Sequence, residues 1–477
     1  MANMRTIRLA LLVFGMSLCS AAQTSSQSQP GTTPAPAPAF GQNAPVLNPE
    51  NPPVSGLDEP SLELKTASRS FISPALQVSE SADSNGANQL GGSPGLESIT
   101  RVLGALDLQQ FWPKSDLLFE YLGGGSFYSS PYDAKQMHAA GLEAVTRWRT
   151  GQATLRDSFS YLPDGSFPVS TFGGVPGLGL ATGSMGIGMQ GGALPGSLNN
   201  GQLGSVANIP RLANTAILDA VQALNPRSAI TVVGGFSNAH YFDSANCANP
   251  VNICLINSDQ ITAEGGYSHL FSRHDQIGAV YAFQLFQFPQ DTGGGIYNHI
   301  ANLRWSHTIS GRMSLVAGAG PQYTDLQRDG GNLSHWSLSA RVQLRYKFAH
   351  SSMVASYEKF TSPGSGVFEG AETQAARLGF QRPIGRTWDL YGDLAYSHNK
   401  KLQPGGVPAD SYNEGSASAV FRKHLGRTYD FFAAYRFSEV AFNVALPPDG
   451  GFGSGRIAQR HVGSIGVEWH PRPTRIE

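Results

Sequence analysis

Charge is scarce in this chain. Only 14% of its 477 residues are Asp, Glu, Lys or Arg, against about 25% in an ordinary soluble domain. The 33 basic and 34 acidic residues nearly cancel, to a formal net charge of -1, so there is no electrostatic footprint for nucleic acid. Cysteine is almost absent, with three in all, which excludes a small disulfide-stapled scaffold. Past the N-terminus no apolar run approaches the roughly 18 to 20 residues of a membrane-spanning helix. A chain of this kind enters a membrane only as a closed barrel of strands. Glycine, in contrast, is plentiful at 56 residues, about 12% where about 7% is usual.

The N-terminus has the parts of a secretory signal peptide: Arg5 and Arg8, the apolar stretch Leu9 to Met16, then Ser20, Ala21 and Ala22. Residues 1–22 are assigned to it. Cys19 does not mark a lipoprotein, because Leu18 stands where a small residue is required. The mature chain then keeps Cys247 and Cys254 in a loop rich in Asn and Asp, and in an exported protein this pair is expected to form one disulfide. No further Cys or His lies beside them at metal-ligand spacing. Neither metal nor cofactor is expected.

Residues 23–93, rich in Ser, Gln and Pro, read as a disordered linker, since they bury too little apolar surface to offset the entropy of ordering. Residues 94–114 place Ile99, Val102, Leu103, Leu106 and Leu108 near helical spacing and read as a short amphipathic lead-in. From residue 115 to 471 the period changes to two. Trp336, Leu338, Ala340, Val342, Leu344 and Tyr346 share one face of a strand whose other face carries Ser337, Ser339, Arg341, Gln343, Arg345 and Lys347. The pattern recurs along the rest of the chain. Between repeats, seven short turns such as Thr150-Gly151 and Leu425-Gly426-Arg427 alternate with longer Gly-, Asn- and Pro-rich connections. Seven turns join fourteen strands; an opening strand near residues 115–127 and a closing one near 456–470 bring the count to about 16. Residues 472–477 form a C-terminal tail. The stretch Leu212 to Leu224, rich in Ala, suits a helix as well as a strand.

With these features the chain resembles the outer-membrane β-barrel, porin-like proteins of Gram-negative bacteria. The resemblance covers roughly residues 115–471 and implies an all-β fold, a single antiparallel transmembrane barrel. It also implies a cell outer membrane location, with both termini on the periplasmic side. Outer-membrane lipid, lipopolysaccharide and the barrel assembly machinery are the partners it implies; an oligomer of identical chains is compatible with it, and nothing in the residues demands one. Closing strands in the family end on an aromatic residue. Trp469 holds that place here, with a tail running on past it.

If the aromatic faces meet lipid, the polar faces line a lumen. Arg304, Arg341, Arg345, Lys347, Arg377, Arg422 and Arg436 then face it, with Glu358, Asp389, Asp393 and Asp430 as acidic counterparts. Two outcomes are open: a mild anion preference, or cross-strand ion pairs that fill the barrel with polar structure. The Gly-dense stretch Gly173 to Gly204 is long enough either to fold into the lumen or to remain at the surface. Its Gly186 to Gly191 spells a dinucleotide fingerprint without the strand and helix that function requires. Gly91 to Gly95 spells a nucleophile elbow, but Pro94 stands where the helix must begin. His335 beside Ser337 is explained by polar lining. A pore or conduit for small solutes or an exported polymer is therefore expected, with a non-conducting structural or adhesion barrel, working through its loops, as the second reading; no catalysis is expected of either.

Overall fold

In a computed structural model the chain is described over residues 70–85, 95–129, 132–162, 210–242, 256–289, 294–327, 333–364, 368–402, 410–446, 455–472 and 474–475. The signal peptide, most of the linker, Gly173 to Gly204, and Cys247 with Cys254 lie outside the described residues.

Everything described is strand and connection. The strands are β1 (Phe71–Asp83), β2 (Glu97–Phe111), β3 (Ser115–Ser129), β4 (Tyr132–Trp148), β5 (Gly151–Leu162), β6 (Arg211–Asn225), β7 (Ser228–Tyr241), β8 (Ser258–Leu270) and β9 (Asp275–Gln287). There follow β10 (Gly295–Ser310), β11 (Met313–Gln327), β12 (Leu333–Lys347), β13 (Ser352–Ser362), β14 (Ala371–Ile384), β15 (Trp388–Lys401), β16 (Ser411–Leu425), β17 (Tyr429–Leu446), β18 (Gly455–Trp469) and the two-residue β19 (Thr474–Arg475). Each of β1 to β18 pairs antiparallel with its sequence neighbours, and β18 returns to β1 through Leu76↔Trp469 to Asp83↔Val462. The sheet is closed. Eighteen strands form the wall.

The expected count of about 16 is therefore two short, and both missing strands come from segments read as something else. β1 lies in the assigned linker, and β2 occupies the assigned lead-in, which is strand and not helix. β1 escapes notice because its inward residues Gln77, Ser79, Ser81 and Asp83, all at most 3% exposed, are polar. β2 carries apolar residues on both faces: Ile99, Leu103 and Ala105 point inward beside Arg101 and Asp107, and Val102 points outward, so its period of two is disguised as a helical one. The strand expected to open the barrel near residue 115 is β3, which pairs with β2 and β4. Its Gly123-Gly124-Gly125 run does not interrupt it; a side chain at Gly124 would meet the Val102 carbonyl at 2.0 Å. The Ala-rich segment at 212–224 is strand β6.

The seven expected short turns all lie at one end of the barrel, with an eighth at 112–114 between β2 and β3. The other end carries the long connections, apart from the two residues between β3 and β4. Outside, the wall is apolar: Leu303, Leu338, Val342, Leu394, Phe421, Ile465 and Val467 are all exposed. Such an exterior is stable against lipid, not water. No helix among the described residues is long and apolar enough to cross a membrane; the strands do so.

Aromatic side chains mark the edges of the lipid band. Toward the short turns stand Trp148, Trp305, Trp388, Tyr429 and Trp469, all 39–48% exposed. Toward the long loops a diagonal motif repeats between a tyrosine and the following strand. Tyr121 bonds His138, Tyr281 bonds His299 and Tyr435 bonds His461 at 2.7–2.8 Å, while Tyr357 and Tyr396 donate to Gln374 and Asn413. In each pair the hydroxyl points away from the middle of the membrane, which is where a ring with one wet end is stable. On β18, His461 and Trp469 are eight residues apart. That is about 26 Å along the strand and roughly 20 Å across the membrane at a tilt of about 40°.

The tail past Trp469 is docked. His470 donates its backbone N–H to Thr428 O at 2.9 Å and brings Nε2 within 3.4 Å of Asp430 Oδ2. Beyond it β19 extends the seam by pairing with Phe71 and Ile72. The hydrogen bond to Asp430 holds the His470 imidazolium above the ordinary histidine range. A group whose value rises on docking favours the docked state fully below its free value, and loses that contribution as pH climbs through the raised one. Trypsin cleavage after Arg475 should therefore accelerate, relative to the His470→Gln protein, as pH rises past the usual histidine range. An unchanging ratio would show that the ion pair does not hold the tail.

Candidate functional site: the lumen wall and its outer mouth

Strand alternation alone decides which side chains enter the lumen, and it sends the charges there in ladder order. Arg304 lies on β10, Arg341 and Arg345 on β12, Arg377 on β14, Asp389 and Asp393 on β15, Arg422 on β16 and Arg436 on β17. Their cross-strand partners put all of them on the inner face: Arg304 opposes Gly318, which opposes Arg341, while Arg377 opposes Ala395 and Asp393 opposes Ser418 and so Arg436.

Most of these charges are paired. Arg304 forks onto Glu264 with bonds of 3.1 and 3.2 Å, two strands away across β9. Arg341 meets Glu358 at 3.0 Å, and Arg377 Nε donates to both oxygens of Asp393 at 2.7 and 3.1 Å. Toward the short turns Arg422 stands between Glu468 at 2.7 Å and Asp430 at 3.6 Å. There His424 bridges Asp389 and Asp430 at 2.9 and 2.8 Å. Toward the short turns β15 to β18 thus share one ionic cluster. Arg345 and Arg436 have no hydrogen bond or ion pair among the described residues, although Arg436 stands in the field of Arg460, Glu414 and Asp393. No group of His, Cys, Asp and Glu able to hold a metal ion occurs among the described residues.

Residues that sequence reasoning missed include Glu264, Glu468, His424 and the pair Arg460 and Asp83, whose carboxylate accepts from Nε at 2.9 Å. Asp83 was unreadable because β1 was not recognised as wall. Period-two alternation marks Glu264 and Glu468 as inward once the neighbouring strand is aligned.

A second element of the site comes from a connection. Loops normally run over the surface, but residues 361–364, 368, 370 and 371 are buried. β13 keeps its ladder with β14 to Ser362 while leaving β12 after Lys359, and the hairpin end turns into the barrel. There Gln322 on β11 donates to Thr361. Phe368 stacks toward Tyr412, with ring centroids 5.5 Å apart. Gly370 reaches Ile296 on β10: a Cβ there would lie 2.3 Å from Ile296 Cδ1 and 3.0 Å from Leu402 Cδ1. Leu402 in turn packs on Phe286, Phe288, Ile296 and Leu326. The arms of the β13–β14 connection, residues 361–364 and 368–371, therefore lie inside the long-loop mouth and rest on the β9–β11 wall. With φ of 83°, Gly370 is the residue that permits this turn.

Truncating one partner of a buried pair strands a charge, at a cost of about 3–5 kcal/mol. Arg304→Met should destabilise the refolded barrel by that order in urea titrations. Adding Glu264→Gln should recover much of the loss. Equal stability of the single and double variants would show that the pair is not load-sharing.

No family model and no curated protein matches the sequence. Among solved structures the chain is similar to the outer membrane protein OpdK of Pseudomonas aeruginosa, at 10% identity and a TM-score of 0.40, over 84% of this chain and 98% of that one. OpdO of Pseudomonas aeruginosa gives 11% identity and a TM-score of 0.40, over 84% and 97%. The ferric-catecholate import receptor Fiu of E. coli K12 gives 9% and 0.39, over 83% and 81%.

Proposed function

We propose that the protein is an outer-membrane channel for small solutes, narrowed at its outer mouth by the inward-folded residues 361–364 and 368–371 at the ends of β13 and β14. The observation that carries this reading is the combination of a closed wall, apolar outside and ionic inside, with a connection buried in the mouth instead of lying over it. A barrel serving only as a platform gains nothing from burying a loop there. A channel gains a size limit. Cross-strand pairing neutralises most of the lumen charge, so selectivity is weak, and Arg345 and Arg436 supply what anion preference there is. In this reading the barrel does no covalent chemistry, and the long loops need not bind anything.

Gly370→Val tests it. A β-branched residue at positive φ costs about 1–2 kcal/mol in backbone strain alone, and its side chain collides with Ile296. The substitution should release the inward-folded residues while leaving the wall intact. In planar bilayers the wild-type barrel should show stable conductance steps with a reversal potential leaning slightly to anions in a salt gradient, and the variant larger ones. A folded barrel that never conducts, in either form, would favour the structural or adhesion platform.

A further inference from the structure

One sector of the wall is incomplete at the level of the lipid band. β12 is paired with β11 along its length, from Leu326↔Leu333 to Met313↔Tyr346, but with β13 only from Ala340↔Lys359 to Lys347↔Ser352. Because β13 turns inward, the segment Leu333–Ser339 has no paired strand on its other side among the described residues. Its exposure follows: Leu333, Ser334, His335 and Trp336 are all exposed, so both faces of this ribbon are open, and Trp336 and Leu338 reach 69% and 52%.

The β11 strand, which pairs with this segment, is itself weakly held to β10 at the same height. The β10–β11 ladder lapses between Ile300↔Gln322 and Leu303↔Ala319, where Gly320 and Pro321 face Ala301 and Asn302. Pro321 has no N–H to give. The Oδ1 of Asn302 and the Oε1 of Gln322 are buried there without a hydrogen-bond partner, although Gln322 is only 1% exposed. Such acceptors ordinarily have a partner.

Height is set by the rings. Trp336 packs on Tyr323 at 5.0 Å, Tyr323 lies 6.4 Å from His299, and His299 takes the hydroxyl of Tyr281. The fork thus opens at the outer aromatic belt, where hydrocarbon meets head groups. An open sheet edge does not persist against lipid tails. Two buried unpartnered acceptors inside and an exposed Trp and Leu outside give the fork a polar and an apolar side.

We propose that the fork between β12 and β13 is a lateral portal that holds one single-chain amphiphile from the outer leaflet. Its head group carries hydrogen-bond donors, which meet Gln322 and Asn302 on the lumen side. The tail lies outside along Trp336 and Leu338. The inference rests on the barrel standing in a membrane, not on its conducting.

The test uses the full mature chain in lipid nanodiscs with a dansyl-tagged monoacylglycerol, whose glycerol hydroxyls are donors and whose dansyl accepts energy from tryptophan. Saturable transfer is expected, with the saturable part lost in Trp336→Phe and also in Leu338→Glu, which puts a charge in the path of the tail. Amide exchange over Leu333–Ser339 should be fast in the free protein and slow with the probe bound. Transfer that does not saturate, or that survives Leu338→Glu, overturns the portal. So does full protection of these amides without probe, or protection that grows with protein concentration, which would instead indicate strand pairing between copies. Absence of saturable transfer in the wild-type chain beside normal conductance condemns the portal alone. Binding beside absent conductance condemns the channel alone.

Discussion

Backbone hydrogen bonding in the absence of water governs this molecule. Within hydrocarbon every N–H and C=O must find a partner in the protein, and each failure costs several kcal/mol. A sheet meets that demand only by closing on itself. This is why β1, whose inner face is polar, is nonetheless ordered: it is held on one side by thirteen residues of β2, from Phe71↔Gln109 to Asp83↔Glu97, and on the other by β18. Without it the seam would be open. β19 extends the same seam beyond Trp469 by pairing with Phe71 and Ile72.

Closure also explains the charge pattern. Most arginines sent inward by alternation are paired with neighbours one or two strands away, as in Arg377 with Asp393 or Arg304 with Glu264. Burying ions is costly even when they are paired. The network is therefore better understood as orienting a polar interior than as the source of stability, which comes from the ladder and the lipid-facing band.

The two exceptions to closure belong together. The ends of β13 and β14 turn into the lumen, and the same movement strips β12 of a partner over Leu333–Ser339. One backbone path thus narrows the mouth and thins the wall. Gly370 and Gly364, at φ of 83° and 90°, sit where these ends bend; Pro321 stands where the neighbouring ladder lapses.

By itself the sequence determined the class of the fold, the alternation of faces, the short and long ends, and the inward set from Arg304 to Arg436, because period two is a local property written residue by residue. It did not determine the number of strands. β1 alternates, with Ile72, Leu76 and Val78 outward, but it follows directly on the Ser-, Gln- and Pro-rich run and is read with it, and in β2 Ile99, Val102, Leu103 and Leu106 imitate a helix because both faces carry apolar residues. Nor did it determine which acid meets which arginine, since pairing depends on register between strands far apart in the chain. The inward turn and the fork were decided by tertiary structure alone. Whether Thr361 continues the wall or bonds Gln322, 39 residues away, is settled by the competition between one more ladder step and a buried contact across the mouth. No local pattern records that choice.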